Sequence, residues 1–198
     1  MDISLEVNDV AYFHPLPYIH NISHPLHARP LPYHSRINQS SINLSTTTGI
    51  GYVSIFPLLL KVVDPNSLHM GYLLDTIENP ALLWTDYGLR SIATTDMFYH
   101  KRNSPGDAPY WRGPIWININ YLAVSALNYY RSVDSPYHDR IDKLYKQLRK
   151  NVVSNVMGEY KRTGYFWEQF DDVSGEGIRG HPFTGWTVLF VNIMAEMF

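Results

Sequence analysis

Glu168 lies within the segment GYFWEQF and is the residue of this chain whose surroundings in sequence best suit acid or base chemistry. Its aromatic neighbours in the sequence are Tyr165, Phe166, Trp167 and Phe170. A carboxylate among aromatic rings loses hydration, which raises its affinity for a proton. Aromatic faces also stack on the C–H surfaces of sugars, while side chains such as Gln169 can bind sugar hydroxyls. The segment therefore predicts a carbohydrate-cleaving site or, alternatively, a solvated turn whose aromatic rings belong to the core.

The composition limits the classes of function. The 198 residues are enough for one domain with a sizeable core, or for part of a larger domain. With 16 Lys+Arg against 18 Asp+Glu, and a net charge of -2, no broad basic face is expected, which disfavours nucleic-acid binding. The chain contains no cysteine, so disulfides, thiolate zinc sites and cysteine nucleophiles are excluded. The aromatic fraction of 14% fits either a dense core or a carbohydrate cleft.

Residues 1–50 differ in composition from the rest of the chain and are predicted to form an irregular or poorly ordered leader. Five of the nine histidines lie here, at spacings that follow no metal-ligand pattern. Three acceptor sequons, at Asn21, Asn38 and Asn43, would matter only in a secretory lumen. We expect no signal peptide and no membrane segment, because the chain shows neither a basic start before an apolar run nor a long enough apolar stretch.

Residues 51–78 predict two helices. The first, over 51–63, is apolar nearly all round, as a helix buried on most sides would be, and Pro57 should kink it or lie in its first turn. Asp64 is predicted to cap the second helix, with Pro65 at its first position and its end at about residue 78. Joined so tightly, the two helices would form an antiparallel hairpin.

Residues 81–109 form a long connection, and connections of this length in a compact domain are usually functional. Pro114 is predicted to start a helix that runs to about Tyr130. Asn118 stands out in this helix as a polar amide that is either bonded within the core or facing a cleft. Four charged residues of this region are candidates for binding sugar hydroxyls or are ordinary surface charges: Asp86, Arg90, Asp96 and Arg112.

The clearest amphipathic helix follows Ser135-Pro136, a suitable cap and first-turn pair. Apolar residues recur there at helical spacing, namely Ile141, Leu144, Tyr145, Leu148, Val152, Val153 and Val156. The basic residues between them are predicted to face water and not to form a binding patch. A final apolar helix is predicted from about Trp186. Since alternating strands are absent outside short loop pieces, the predicted fold class is all-α.

Several segments together resemble the C-terminal catalytic domain of the mannosyl-oligosaccharide glucosidases, the processing α-glucosidase I group of glycoside hydrolase family 63. The resemblance covers residues 51–198, and the combination of segments is specific, whereas residues 1–50 show no match. The segments are GYVSIFPLLLKVVDP (51–65), YGLRSIA (87–93), RNS (102–104), PYWRGPIWININYLA (109–123), NVVSNV (151–156), GYFWEQF (164–170) and HPFTGW (181–186).

The resemblance implies a partial (α/α)6 toroid, of which residues 51–198 supply the C-terminal helices. It also implies hydrolysis of the terminal α-1,2-linked glucose of the triglucosylated N-glycan precursor, with inversion, in the endoplasmic reticulum and without a metal or organic cofactor. Glu168 matches the carboxylate assigned as general base. The residues implied in substrate binding are Trp111, Arg112, Gly113, Asn118, Trp167 and Gln169.

The expected general acid is not identified in this sequence. Inversion needs a second carboxylic acid about 6.5–9.5 Å from the base, to protonate the leaving oxygen. In the family this acid is an aspartate in an upstream SGLDDYPR-like segment, and the sequence contains no such segment. Asp86, Asp96 and Asp107 lie in loops, but nothing around them marks one as the acid.

Three hypotheses therefore stay open. In the first, the chain is the C-terminal portion of an active glucosidase and pairs with the missing N-terminal half of the catalytic domain, because half a ring leaves apolar helix faces uncovered. In the second, it is a truncated, catalytically inactive sugar-binding or structural fragment. In the third, it belongs to another helical toroid with a different linkage specificity.

Overall fold

The structure is a computed structural model that describes residues 49–198. The predicted leader, with its histidines and sequons, lies outside the described residues apart from Gly49 and Ile50. Five helices and two short strands make up the described part, and 3-10 turns at Tyr52–Ile55 and Trp186–Val188 precede the first and last helices. The helices are α1 (Phe56–Leu59), α2 (Leu68–Glu78), α3 (Ile117–Tyr130), α4 (His138–Thr163) and α5 (Leu189–Ala195), and the strands are β1 (Gln169–Phe170) and β2 (Gly177–Ile178).

The first helix is shorter and more exposed than predicted. The 3-10 turn and α1 together end at Leu59, and Pro57 lies in the first turn of α1, as predicted, where its missing N–H group is not needed. Only one side of this segment is buried, since Val53 and Val62 are exposed while Ile55 and Leu58 are in the core. The prediction that residues 51–63 form a helix buried on most sides was therefore wrong.

Helix α2 begins three residues later than Asp64 would place it. Ser67, not Asp64, is the N-cap, and its hydroxyl accepts a hydrogen bond from the Met70 amide at 3.4 Å. The Asp64 carboxylate instead accepts from the Asn66 amide at 2.9 Å, which closes a turn that also contains Pro65. Short polar side chains can bond to nearby backbone amides in a turn instead of capping a helix, and the Asp64 side chain does so here. The helix ends at Glu78, as predicted.

Helix α3 begins at Ile117 and not at Pro114, because Ile115 is held in an extended conformation. Ile115 and Phe170 exchange backbone hydrogen bonds of 2.8 and 3.1 Å, and Ile115 also pairs with Arg90. This bridge joins the start of α3 to β1, which follows Glu168 directly. The end of α3 at Tyr130 agrees with the sequence prediction.

Helix α4 is the predicted amphipathic helix, although it starts at His138. The Ser135 hydroxyl accepts a hydrogen bond from the Tyr137 amide at 3.3 Å in the preceding turn. The helix ends at Thr163, and the capping residue Gly164 has a φ of +80°, which favours glycine. Its apolar residues pack against α3 and α5 to form the core, while Lys143, Lys146 and Lys150 are exposed, as expected. Arg149, also predicted to face water, is half-buried and donates to the carbonyls of Ile193 and Met194 at 3.0 and 2.8 Å. None of the helices in residues 49–198 combines the length and apolar character needed to cross a membrane.

Asn120, and not Asn118, is the polar residue that α3 buries completely. Its side-chain oxygen accepts from the Leu89 amide at 2.7 Å, and its side-chain nitrogen donates to the carbonyls of Leu89 at 3.1 Å and Trp116 at 2.8 Å. Asn118 is half-buried, and its side chain accepts from the Ile119 amide at 3.0 Å. The Asn120 bonds therefore hold the long 81–109 connection against the start of α3.

Glu159 ties the end of α4 to β2 and makes the stability of the fold depend on pH. Hydrogen bonds from Arg162, at 2.7 and 2.8 Å, lower the pKa of Glu159 below 4.5, and the amide of Gly177 at 2.8 Å adds to this, against the opposing effect of burial. Because the pKa is depressed in the folded state, the stabilisation is complete above the ordinary pKa and is lost as the pH falls through the folded-state pKa.

We expect Glu159→Gln to lower the free energy of unfolding by about 1–2 kcal/mol at neutral pH, because a hydrogen-bonded charge is lost. Urea unfolding of both proteins at neutral pH and at about pH 3 measures this difference. The difference should shrink at the lower pH, where the wild-type carboxylate is progressively protonated. A difference that is the same at both pH values would contradict the assignment.

Candidate active site

The backbone around Glu168 is fixed by a loop that runs alongside it. The amide of Glu168 donates to the Gly180 carbonyl at 3.0 Å, and the amide of Phe183 donates to the Phe166 carbonyl at 2.9 Å. The indole nitrogen of Trp186 donates to the Glu168 carbonyl at 2.8 Å. Glu168 is therefore held in the short segment between α4 and β1, and this residue is half-buried.

Both oxygens of the Glu168 carboxylate accept hydrogen bonds. The hydroxyl of Tyr110 donates to Oε1, and the amide of Gly180 donates to Oε2 at 3.2 Å. The pKa of Tyr110 is raised to about 12, first by burial and then by the hydrogen bond and the negative charge of Glu168. Tyr110 thus stays protonated near neutral pH and remains a donor. The carboxylate is oriented by two groups that are 58 and 12 residues away in sequence.

Indole rings lie beside Tyr110. The rings of Trp111 and Trp116 stack with centroids 3.5 Å apart and an interplanar angle of 3°. Tyr110 meets Trp116 edge-on at 4.8 Å, and Trp186 lies 5.3 Å from Trp116. Trp116 is buried, whereas Trp111 is 45% exposed. Trp111 therefore offers an aromatic face to solvent next to the residue that binds Glu168, which is the arrangement that sugar stacking requires.

Two of the aromatic neighbours of Glu168 in sequence, Phe166 and Phe170, belong to the core, as the alternative interpretation of this segment expected. Phe170 is fully buried in the core, and Phe166 packs between Tyr160 and Phe190. The ring in hydrogen-bonding contact with Glu168 belongs to Tyr110, which sequence reasoning did not single out. Its position immediately before the WRG segment was the one available signal.

The residues predicted to bind substrate fall into different environments. Trp167 lies with its ring centroid 3.9 Å from that of His181, and its indole nitrogen donates to the Thr163 hydroxyl at 3.1 Å. Gln169 is fully buried, and its amide nitrogen donates to the Tyr110 carbonyl at 3.3 Å. Gln169 thus contacts the Tyr110 main chain from inside the fold, while Asn118 lies in the first turn of α3.

Arg112 and Gly113 are both bound to the 81–109 connection. The Arg112 guanidinium donates to the carbonyls of Arg102 at 2.9 Å and Lys101 at 3.3 Å. It also lies 5.0 Å above the Phe98 ring. Gly113 has a φ of +135°, and a β-carbon there would lie 2.4 Å from a ring carbon of His100. The WRG segment is therefore closely fitted to this connection, and only Trp111 projects outward.

The other charged candidates do not join Glu168. Asp96 accepts from the Phe98 amide at 2.7 Å, and Asp107 accepts from the Ser104 hydroxyl at 2.8 Å. Asp86 lines a separate cavity of about 320 Å³ with residues of α4. Arg90 is buried and paired with Asp172. Within residues 49–198, no three His, Cys, Asp or Glu side chains are grouped so that they could hold a metal ion.

Comparisons with known proteins identify relatives over most of the chain. The profile of the glycosyl hydrolase family 63 C-terminal domain matches residues 18–196, and so begins upstream of Gly51, where the motif-based resemblance begins. Mannosyl-oligosaccharide glucosidase GCS1 of Arabidopsis thaliana is 48% identical over 147 residues, which is 74% of this chain and 17% of the relative. The probable mannosyl-oligosaccharide glucosidase of Schizosaccharomyces pombe is 42% identical over 147 residues, 74% of this chain and 18% of the relative. The chain thus spans less than a fifth of the length of either protein.

Solved structures show the same fold at lower sequence identity. The crystal structure of a family 63 mannosylglycerate hydrolase from Thermus thermophilus in complex with Tris matches with a TM-score of 0.52 at 22% identity. The match covers 75% of this chain and 30% of that chain. The family profile, the curated relatives and the shared helical fold confirm the resemblance seen in the sequence, and the chain belongs to glycosyl hydrolase family 63, whose C-terminal domain it matches over residues 18–196.

Proposed function

We propose that this chain forms part of the active site of a processing glucosidase and that Glu168 is its general base. The proposed reaction is hydrolysis, with inversion, of the terminal α-1,2-linked glucose of the triglucosylated N-glycan precursor, in the endoplasmic reticulum. The relatives are mannosyl-oligosaccharide glucosidases, which supports a mannosyl-oligosaccharide substrate. The observation that carries the proposal is the Glu168 carboxylate, oriented by Tyr110 and Gly180 beside the exposed ring of Trp111.

The proposed chemistry requires one proton transfer at Glu168. Its carboxylate takes a proton from a water molecule as the water oxygen forms a bond to the anomeric carbon, and the glycosidic C–O bond breaks on the opposite face of the sugar. The bond electrons leave with the glycosidic oxygen, which a second carboxylic acid protonates. The hydrogen bonds from Tyr110 and Gly180 fix the orientation of the base without supplying a proton to it, because a tyrosine with a pKa of about 12 remains protonated.

Substrate contacts are proposed for the residues next to this base. Trp111 is proposed to stack on a sugar ring, because this residue is 45% exposed. Trp167, which precedes Glu168 and lies against His181, is proposed as a second aromatic contact. An indirect role in substrate binding is proposed for Gln169, Arg112 and Gly113, which would fix the position of the main chain near the substrate. Gln169 is fully buried, and the Arg112 side chain binds carbonyl groups. Asn118 is half-buried, two residues after Trp116, and is the remaining polar side chain proposed for a hydroxyl contact.

The general acid is proposed to come from the N-terminal half of the catalytic domain, a segment outside this sequence. Asp86, Asp96 and Asp107 are bonded elsewhere or lie apart from Glu168. The same upstream segment would complete the (α/α)6 ring and cover the apolar surface at the start of the described chain. The side chains of this surface are Val53, Leu60, Val62, Leu68 and Tyr72, all of them exposed.

The test of this function is a hydrolysis assay of the full-length protein that contains this chain, with the triglucosylated oligosaccharide and a panel of α-1,2-, α-1,3- and α-1,4-linked glucosides. We expect glucose release from the α-1,2 linkage alone. Cleavage of another linkage would indicate a different glycosidase of the same fold. Binding without any release of glucose would indicate an inactive sugar-binding protein and would contradict the proposal.

A further inference from the structure

Asp172 is a buried carboxylate four residues after Glu168, and neither the fold nor the proposed chemistry so far accounts for it. Its side chain has no exposed surface. The Tyr99 hydroxyl donates to Oδ2 at 2.8 Å, the Arg90 guanidinium lies 3.0 Å from Oδ2, and Nε2 of His100 lies 2.8 Å from Oδ1. The pKa of Tyr99 is raised by burial and by its bond to Asp172, so that Tyr99 remains a donor. All three partners come from the 81–109 connection.

The partners of Asp172 are themselves fitted against the WRG segment. The amide of His100 donates to the Arg112 carbonyl at 2.8 Å, and the His100 ring fills the space beside Gly113 that a β-carbon would need. Next to Arg90, the amide of Ser91 donates to the Gly113 carbonyl at 3.2 Å, and the Ser91 hydroxyl accepts from the Gly113 amide at 3.0 Å. A displacement of Asp172 would therefore move the segment that carries Tyr110.

A buried ion pair is weak evidence for stability, because its desolvation cost is comparable to its attraction and an apolar replacement is often as stable. Beside this ion pair, Asp172 makes two directional hydrogen bonds, with Tyr99 and His100, and these join two chain segments that are far apart in sequence. One segment leads through β1 back to Glu168, and the other leads to Tyr110 and Trp111. Such bonds determine geometry more than they add free energy.

We propose that Asp172 is a positioning residue that sets the distance between Glu168 and the Tyr110–Gly113 segment. This inference rests on the proposed function, in which Glu168 is the base. Asp172 does not touch the reacting atoms in this proposal. It acts by holding Arg90, Tyr99 and His100, and through them the phenol that orients Glu168.

The test is a double-mutant cycle in the full-length protein. Asp172→Asn should lower kcat by about 10²-fold, since small displacements in an active site can cost this much. Tyr99→Phe removes a single donor, leaves the pair with Arg90 intact and should lower kcat by a smaller factor. In a Glu168→Gln background neither substitution should lower the residual rate further, because residues that act as one unit are not additive. Asp139→Asn, on the exposed face of α4, is the matched control and should leave kcat unchanged.

A purely structural role would reduce the amount of folded enzyme by the same factor in both backgrounds, and that result would overturn the inference. An unchanged kcat in folded Asp172→Asn would overturn it as well. If Asp172→Asn fails to fold, Tyr99→Phe decides the question by the same criteria.

Near-ultraviolet circular dichroism of the stacked Trp111 and Trp116 provides a readout that does not depend on activity. The signal of the pair, identified by its loss in Trp111→Phe, should weaken in the Asp172 and Tyr99 variants. A wild-type protein that releases no glucose would contradict the proposed function, and the dichroism would still decide whether Asp172 positions this segment. Unaltered dichroism in both variants would show that it does not.

Discussion

Replacing Glu168 with glutamine should reduce turnover of the α-1,2-linked substrate by about 10²- to 10⁴-fold or more, the usual contribution of a general base. Glutamine has the same shape and keeps one oxygen that can accept the hydrogen bond of Tyr110 or Gly180. It cannot accept a proton from water at neutral pH. The fold should therefore remain intact, while the chemical step loses its base. Steady-state glucose release together with circular dichroism measures both effects.

The matched control for this variant is Glu176→Gln. Glu176 lies in the turn between β1 and β2, eight residues from Glu168, and its side chain is exposed. We expect normal turnover from this control. A Glu168→Gln protein that releases glucose at a near-normal rate would rule out Glu168 as the base.

Gly113→Ala should damage both stability and turnover. A φ of +135° is strained for any residue with a β-carbon, and the added carbon would lie 2.4 Å from the His100 ring and 3.2 Å from Oδ1 of Asp172. Backbone strain of this kind costs about 1–3 kcal/mol, and the displaced ring adds to it. Because His100 also binds Arg112, the WRG segment should shift away from Glu168. We expect a lower midpoint of urea unfolding and a loss of kcat that exceeds the loss of folded protein.

Gly158→Ala is a control of opposite sign. Gly158 lies within α4, and a β-carbon there would meet no atom within 4 Å. Alanine is favoured over glycine inside a helix, by about 1 kcal/mol. Gly158→Ala should therefore raise the unfolding midpoint and leave kcat unchanged. If both alanine variants behaved alike, the close fit between Gly113 and His100 would not be what determines the effect.

The sequence predicted elements whose signal is local. Helix α4 follows from the apolar spacing of 141–156, and the end of α3 was placed correctly. The last helix, predicted from about Trp186, begins at Leu189 after the 3-10 turn at Trp186–Val188. The starts of α2 and α3 were wrong. The turn closed by Asp64 delays the start of α2, and the bridge between Ile115 and Phe170 delays the start of α3. A bridge between residues so far apart in sequence does not affect the local hydrophobic periodicity.

The motifs singled out candidate site residues, whereas the buried side chains that pack around those candidates could not be predicted from the sequence. Glu168 and Trp111 came from their motifs. Asp171 and Asp172 are identical neighbours in sequence, yet Asp171 closes a turn with the Val173 and Ser174 amides while Asp172 is buried against three partners. The buried amide of Asn120, two positions from Asn118, was missed in the same way, because either residue could face the core.

The most direct measurement of the central claim is the product formed by Glu168→Ala in the presence of azide. Azide is an anion that attacks carbon without a base to deprotonate it, so it can replace the water that Glu168 would activate, and the alanine leaves room for it. We predict that azide restores turnover in this variant, but does not accelerate the wild-type protein, and that the product is the β-glucosyl azide expected from attack opposite the α linkage. An absence of any response to azide in a folded variant that still binds the oligosaccharide, or an α-configured product, would contradict the assignment of Glu168 as the base of an inverting glucosidase.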